Sequence, residues 1–256
     1  MRIDGSVALV SGAASGLGEA TARHLHQQGA SVLLFDLDGE RAAAIAADLG
    51  PRAAVVAGDA SEEADAQRAV EGAADLGPLR VAVLCAGGGT PSERVVSRAG
   101  TPHSLDSFVA TMHLNVTTTF NTLRLAAAAM AELEPDDEGE RGVVVTTSSV
   151  AGYEGQIGQI GYATAKAGII GMTLVAARDL AAAGIRVNCI APGTIHTRAW
   201  DQAPEELRAG LEAKVPFPRR FGRPSEFASL VEHLVSNRYI NGHVVRLDGA
   251  IRFDPK

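Results

Sequence analysis

Ser149, Tyr162 and Lys166 are the residues whose types and spacing point most directly to chemistry. They lie in Ser149–Lys166, SVAGYEGQIGQIGYATAK, which ends in Tyr162-Ala-Thr-Ala-Lys166. A strand-like run, Gly142–Ser149, leads in, and an apolar helical run, Ala167–Leu180, leads out. This pattern predicts a serine hydroxyl leaving a strand end, with a tyrosine and a lysine at i and i+4 on one helix face. A phenol beside an ammonium is expected to titrate below its usual value of about 10, because the positive charge favours phenolate. Such a tyrosine exchanges a proton near neutral pH. YxxxK alone is an ordinary helix turn with a surface lysine. A serine thirteen residues before the tyrosine, and a glycine-rich turn near the N-terminus, reverse that reading.

The elements that must position these groups are legible from the start of the chain. Ser6–Ser11 reads as a buried parallel strand, Gly12-Ala-Ala-Ser-Gly16-Leu-Gly18 as a turn, Glu19–Gln28 as a helix and Ser31–Asp36 as a second strand. A β-turn-α-β unit of this kind binds a dinucleotide pyrophosphate at the helix N-terminus, and glycine lets the backbone approach phosphate. The spacing Gly12-x3-Gly16-x-Gly18 is not GxGxxG, and glycine turns also occur for packing alone. Asp36 ends the second strand, where a carboxylate accepts bonds from ribose hydroxyls and repels a 2′-phosphate. Leu37 follows it and Arg41 lies a turn into the next helix, so NAD is the expected cofactor. The alternative is a solvated helix-capping aspartate.

The alternation continues through helix Glu40–Leu49, strand Ala53–Ala57, helix Glu62–Leu76 and strand Arg80–Leu84. Asp59 either caps the helix that follows it or bonds an adenine amino group, or does both. Cys85-Ala86-Gly87 follows a strand directly, where ligands sit in open α/β sheets. The segment 90–105 lacks periodicity and carries Arg94, Arg98 and His103; it is either a substrate loop or a surface insertion. Asp106–Glu134 reads as one long helix bearing Asn115, either a satisfied core amide or a site residue. Strand Ile185–Ile190, helices Pro204–Lys214 and Pro224–Ser236, and strand Val244–Leu247 complete the pattern. Within 194–217, Ile195, Trp200, Leu207, Leu211, Val215 and Phe217 are either an apolar pocket wall or core. The rhythm predicts an α/β fold: a single Rossmann-type doubly wound domain over residues 1–256, with a parallel sheet of about seven strands.

Composition bounds the function. The chain has 256 residues, 46% of them hydrophobic, and a net charge of −7. That suits one well-packed domain and argues against a nucleic-acid partner. Cys85 and Cys189 read as buried, reduced thiols. No run reaches the length of a transmembrane helix, no secretory leader precedes the first strand, and no metal-ligating cluster is evident. The expectation is a cytoplasmic protein with no membrane partner and no metal.

The residues Ser11-Gly12-x3-Gly16-x-Gly18, Cys85-Ala86-Gly87, Asn115, Ser149, Tyr162-x3-Lys166 and Pro192-Gly193-x3-Thr197 resemble the classical short-chain dehydrogenase/reductase family over nearly the whole chain. Within it, Glu154–Gln159, Gly168–Thr173, Val215–Pro218 and Arg246–Arg252 are similar to the branch of type 2 3-hydroxyacyl-CoA dehydrogenases. The resemblance implies Tyr162 as acid/base, Ser149 on the substrate oxygen, Lys166 on the nicotinamide ribose and Asn115 in a proton relay. It implies Gly12, Ser15, Leu17 and Gly18 at the pyrophosphate, Asp36 at the ribose, and Asp59 and Ala60 at the adenine. Cys85, Ala86, Gly87, Ile195 and Thr197 would line the rest of the cofactor, with Ser149, Gln159 and Tyr162 facing substrate.

The implied activity is NAD-dependent interconversion of a secondary alcohol and a ketone, with 3-hydroxyacyl-CoA and 3-oxoacyl-CoA the leading pair. Arg94 and Arg98 would meet a CoA phosphate. A hydroxysteroid and an acyl-carrier-protein thioester are the competing substrates, and an NAD(H)-binding sensor or scaffold is the non-enzymatic alternative. The family also implies a homotetramer formed through the long helices Asp106–Glu134 and Gly161–Ala183. Ser11, Leu84-Cys85 and Ala250 depart from the usual family residues without touching the catalytic group.

Overall fold

The computed structural model describes residues 1–201 and 203–255. Its seven parallel strands are β1 (Val7–Ser11), β2 (Ser31–Asp36), β3 (Ala53–Ala57), β4 (Leu79–Leu84), β5 (Gly142–Thr147), β6 (Ile185–Pro192) and β7 (Val244–Leu247). They lie in the order β3-β2-β1-β4-β5-β6-β7. The order reverses between β1 and β4, which opens a crevice at the carboxyl ends of those strands.

Burial on both faces explains why the strands read as continuous apolar runs. Ala8, Val10, Val32 and Leu34 pack on one side with Ala22 and Leu25 of α1 (Gly16–Gln27) and Phe227 and Val231 of α8 (Pro224–Ser236). Their neighbours Val7, Leu9, Leu33 and Phe35 pack on the other. There they meet Ala66 and Ala73 of α3 (Glu63–Leu76) and Ala126 and Met130 of α5 (Thr118–Ala131). The remaining helices are α2 (Gly39–Leu49), α4 (Leu105–Met112), α6 (Ile160–Asp179) and α7 (Glu205–Ala213).

Two expectations are corrected. Asp106–Glu134 is not one regular helix: α4 and α5 are joined by a π-turn over His113–Thr117. Side chains hold it open. Thr118 Oγ1 donates to the His113 carbonyl at 3.2 Å, Thr119 Oγ1 to the Asn115 carbonyl at 2.7 Å, and Asn115 Nδ2 to the Thr111 carbonyl at 3.2 Å. A π-turn inserts one extra residue and turns its side chain onto a new face, a common device at functional sites.

The second correction concerns α6. By length and composition alone, its 20 residues at a mean hydropathy of 1.4 suffice to cross a membrane. Here the helix lies against the sheet, burying Gly161, Ala165, Lys166, Ile169, Thr173 and Ala177. That buried face carries site residues, while the opposite face leaves Ile160, Leu174 and Val175 exposed.

Candidate active site

The crevice is a cleft of about 680 Å³ lined by the N-terminus of α1, the ends of β2, β4, β5 and β6, and the first turns of α6. Every residue expected at the cofactor lines it, as do Ser149, Gln159 and Tyr162, whereas Asn115 stands directly behind the β4 end.

The glycine turn is forced by close approach. Gly12 has φ 68°, and a Cβ there would meet the Ala86 amide at 2.8 Å; one on Gly18 would stand 2.0 Å from the Gly12 carbonyl oxygen. Ser15 N-caps α1 without a side-chain capping bond, so its hydroxyl joins the unpaired amides of the first helical turn at the cleft wall. Asp36 is fixed from both sides: Oδ2 accepts from the Ala14 amide at 2.8 Å and Oδ1 from the Asp38 amide at 3.0 Å. Arg41 is turned aside, its Nη2 held 3.3 Å from Glu19 Oε2. Asp59 Oδ1 accepts from the Ser61 amide and hydroxyl, which hold its carboxyl below the usual range. Asp59 caps that turn and lines the cleft; the N-cap of α3 is Glu62.

Ser149, Tyr162 and Lys166 meet at the β5 end. Ser149 is extended, and its Oγ accepts from the Ala151 amide at 3.1 Å. Ser148 Oγ donates to the Lys166 carbonyl at 2.7 Å, tying the strand end to α6. Lys166 is buried, and its Nζ donates to the Thr147 carbonyl at 3.3 Å while lying 5.6 Å from the centre of the Tyr162 ring. The expected lowering of the tyrosine is not found. Burial pushes the Tyr162 phenol up, opposed by the Ser149 hydroxyl, and burial pushes the Lys166 ammonium down to about 8. Desolvation acts on both groups and outweighs their proximity. Cys85, beside them, is raised to about 11 by burial, which disfavours its thiolate.

Asn115 is fully buried. Its Oδ1 accepts from the Gly88 amide and its Nδ2 donates to the Gly88 carbonyl, both at 3.2 Å. The π-turn therefore clamps the loop after β4, which carries the Cys85–Gly89 wall of the cleft.

The segments expected at substrate divide. Ile195, Thr197, Trp200 and Leu211 line the cleft, whereas Val215 is core, and Leu207 and Phe217 face outward, 51% and 82% exposed. The 90–105 loop stays outside the main cleft. Glu93–Val96, Arg94 included, line an adjoining groove with Gln156 and Gln159; Arg98 is exposed at the loop tip. Gln156 and Phe253 also line the cleft. The first lies in the Glu154–Gln159 stretch of the family resemblance, which gives it no role, and the second carries no local signal, since its place depends on how the C-terminal tail packs. Among the described residues, no group of His, Cys, Asp and Glu is arranged to hold a metal.

A family model described as enoyl-(acyl carrier protein) reductase matches residues 12–251. The human protein named 3-hydroxyacyl-CoA dehydrogenase type-2 is 45% identical over 254 residues, covering 99% of this chain and 97% of that one. A Thermotoga maritima 3-oxoacyl-[acyl-carrier-protein] reductase is 31% identical, covering 98% of this chain and 99% of that one. The crystal structure of 3-hydroxyacyl-CoA dehydrogenase type-2 from Mycobacterium avium superposes with a TM-score of 0.97 at 50% identity, covering 98% of each chain.

Proposed function

The chain belongs to the short-chain dehydrogenase/reductase family and is an oxidoreductase acting on CH–OH groups. From that premise we propose that it interconverts 3-hydroxyacyl-CoA and 3-oxoacyl-CoA with NAD(H). The convergence of Ser149, Tyr162 and Lys166 on a cleft that begins at a glycine-cradled helix N-terminus carries the reading.

The residues present fit a dinucleotide. Gly12, Ser15, Leu17 and Gly18 would hold the pyrophosphate at α1, where the capping serine makes no side-chain bond to the helix and the first-turn amides have no preceding turn to bond. Asp36 would hold the adenosine ribose, with Asp59 and Ala60 beside the adenine. Cys85, Ala86, Gly87, Ile195 and Thr197 would flank the remainder. The Asp36 carboxylate at the β2 end, with Arg41 committed to Glu19, favours NAD over its 2′-phosphorylated form.

The bound nicotinamide supplies or accepts hydride. Tyr162 Oη takes the hydroxyl proton of the alcohol in oxidation and returns a proton to the oxygen in reduction. Ser149 Oγ orients the same oxygen, and Gln159 faces it from the N-terminus of α6. Lys166, anchored on the Thr147 carbonyl, would hold the nicotinamide ribose, and its positive charge favours phenolate when it is protonated. Asn115 keeps the loop after β4 in register, and in this reading it would serve the proton relay that the family resemblance implies.

The thioester substrate is supported by the names and extent of the similar proteins. A hydroxysteroid or an acyl-carrier-protein thioester would use the same trio; Asp36 weighs against the latter if that reaction draws on NADPH. The exposed apolar residues Leu105, Val109 and Phe120 of α4 and α5, and Leu174 and Val175 of α6, suit a homotetramer built on these helices. A cytoplasmic location without a membrane partner completes the reading.

Initial-rate reduction of acetoacetyl-CoA with NADH and with NADPH tests it. Efficient turnover with NADH alone is expected. Tight NADH binding without turnover would move the substrate to steroids or small alcohols, and an NADPH preference would overturn the assignment of Asp36.

A further inference from the structure

Two stretches far apart in sequence, Glu154–Gln159 and Arg246–Arg252, form one charged knot beside the cleft. Glu154 Oε1 takes a short ion pair from Arg246 Nη1 and lies 3.4 Å from Arg252 Nε. Asp248 Oδ2 accepts from Arg246 Nε at 2.7 Å and from Arg252 Nη1 at 3.1 Å. The Arg246 guanidinium also lies over the Tyr153 ring, 5.2 Å from its centre. Burial pushes the Glu154 carboxyl up, but the bonds from Arg246 and from the Phe253 amide outweigh it, so the carboxyl stays ionised.

The second Glu154 oxygen gives the knot a purpose. Oε2 accepts from the Phe253 amide at 2.8 Å. Around that bond the tail is strapped down. Gln156 Nε2 donates to the Asp254 carbonyl at 3.2 Å, and the Ile157 amide donates to the Pro255 carbonyl at 2.9 Å. Lys214, at the end of α7, lies 3.3 Å from Asp254 Oδ2. The tail therefore bridges the two segments that wall the substrate side: the 153–159 loop between Ser149 and Tyr162, and the 200–214 segment that supplies Trp200 and Leu211. The Phe253 ring lines the cleft between them.

We infer that Glu154 is a positioning residue that docks the C-terminal tail, and that the docked Phe253 is a specificity-determining wall for the apolar part of the substrate. The inference rests on the reading of this cleft as the site of the oxidoreductase. Its physical basis is charge-assisted bonding, in which one carboxylate satisfies two guanidinium groups and a backbone amide and fixes a loop-borne aromatic ring.

The test uses the full chain, with Phe253→Ala and Glu154→Gln compared to the parent. The KM ratio of 3-oxodecanoyl-CoA to acetoacetyl-CoA is expected to shift about tenfold in Phe253→Ala. Glu154→Gln should shift the ratio in the same direction. Hydrogen exchange of the Phe253 and Ile157 amides should speed by about tenfold or more in Glu154→Gln, with β5 and α6 amides unchanged. Unchanged exchange in Glu154→Gln, or an unchanged KM ratio in Phe253→Ala, would overturn the inference. Failure of the acyl-CoA reading looks different: the parent itself would reduce neither thioester, while the exchange experiment would still decide whether Glu154 docks the tail.

Discussion

Lys166 Nζ stands 5.6 Å from the centre of the Tyr162 ring, and the two side chains are desolvated together. Burial disfavours charge on each, and the Ser149 hydroxyl is the group that draws the phenol back toward ionisation.

Removing the phenol hydroxyl isolates the proton step. Tyr162→Phe should lower kcat by about 10²–10⁴-fold, with the NADH dissociation constant within about threefold. Stopped turnover together with intact NADH fluorescence titration is the expected pair of results. Comparable losses in both would place Tyr162 in cofactor binding alone.

The raised phenol sets the pH dependence. Oxidation needs Tyr162 deprotonated, so kcat/KM for the alcohol should climb with pH through the alkaline range, and ketone reduction should fall over the same range. Ser149→Ala removes a hydrogen bond that lowers the phenol, and the alkaline limb should move further up. A profile unaffected by Ser149→Ala would mean that another group titrates.

Lys166 costs stability. Its ordinary value is 10.5 and burial lowers it to about 8 in the folded chain. Between those values the unfolded chain binds more protons, so stability rises with pH; below about 8 both states are protonated and the fold bears the full cost. Lys166→Met should therefore stabilise the protein at pH 7, by about 2 kcal/mol after the lost bond to Thr147 is counted, while abolishing turnover. The gain should shrink as the pH approaches 10. Urea titrations at pH 7 and pH 9.5 measure it.

On the proposed NAD(H) reading Asp36 sets the cofactor preference, and it also holds a backbone bond. Asp36→Ala should raise the NADPH-to-NADH ratio of kcat/KM by about 10²-fold or more, since the carboxylate that repels a 2′-phosphate is gone. It also strips the Ala14 amide of its acceptor, at a cost of about 1 kcal/mol. Steady-state kinetics with both cofactors and a melting curve test the two halves separately.

Asn115→Ala leaves the buried Gly88 amide and carbonyl without their side-chain partner. A loss of about 2–4 kcal/mol is expected, along with weaker NADH binding as the Cys85–Gly89 wall loosens. A variant as stable as the parent would show that the clamp is dispensable.

The sheet, the cofactor end and the trio were legible in the sequence because each rests on local periodicity or on residues a turn apart. Buried strands such as Val7–Ser11 announce themselves as apolar runs, and Tyr162 and Lys166 share a face because a helix repeats every 3.6 residues. The Gly12–Gly18 turn shows its purpose in residue type, since only glycine fits where a Cβ would strike backbone. What the local pattern cannot carry is desolvation and long-range pairing. The sign of the Tyr162 shift depends on how much protein surrounds the ring, which outweighs a lysine four residues away. The π-turn at Asn115 depends on Gly88, and the place of Phe253 depends on Glu154, 99 residues earlier in the chain. Tertiary structure alone decided these, because each is a bond between groups brought together only when the sheet and its helices close.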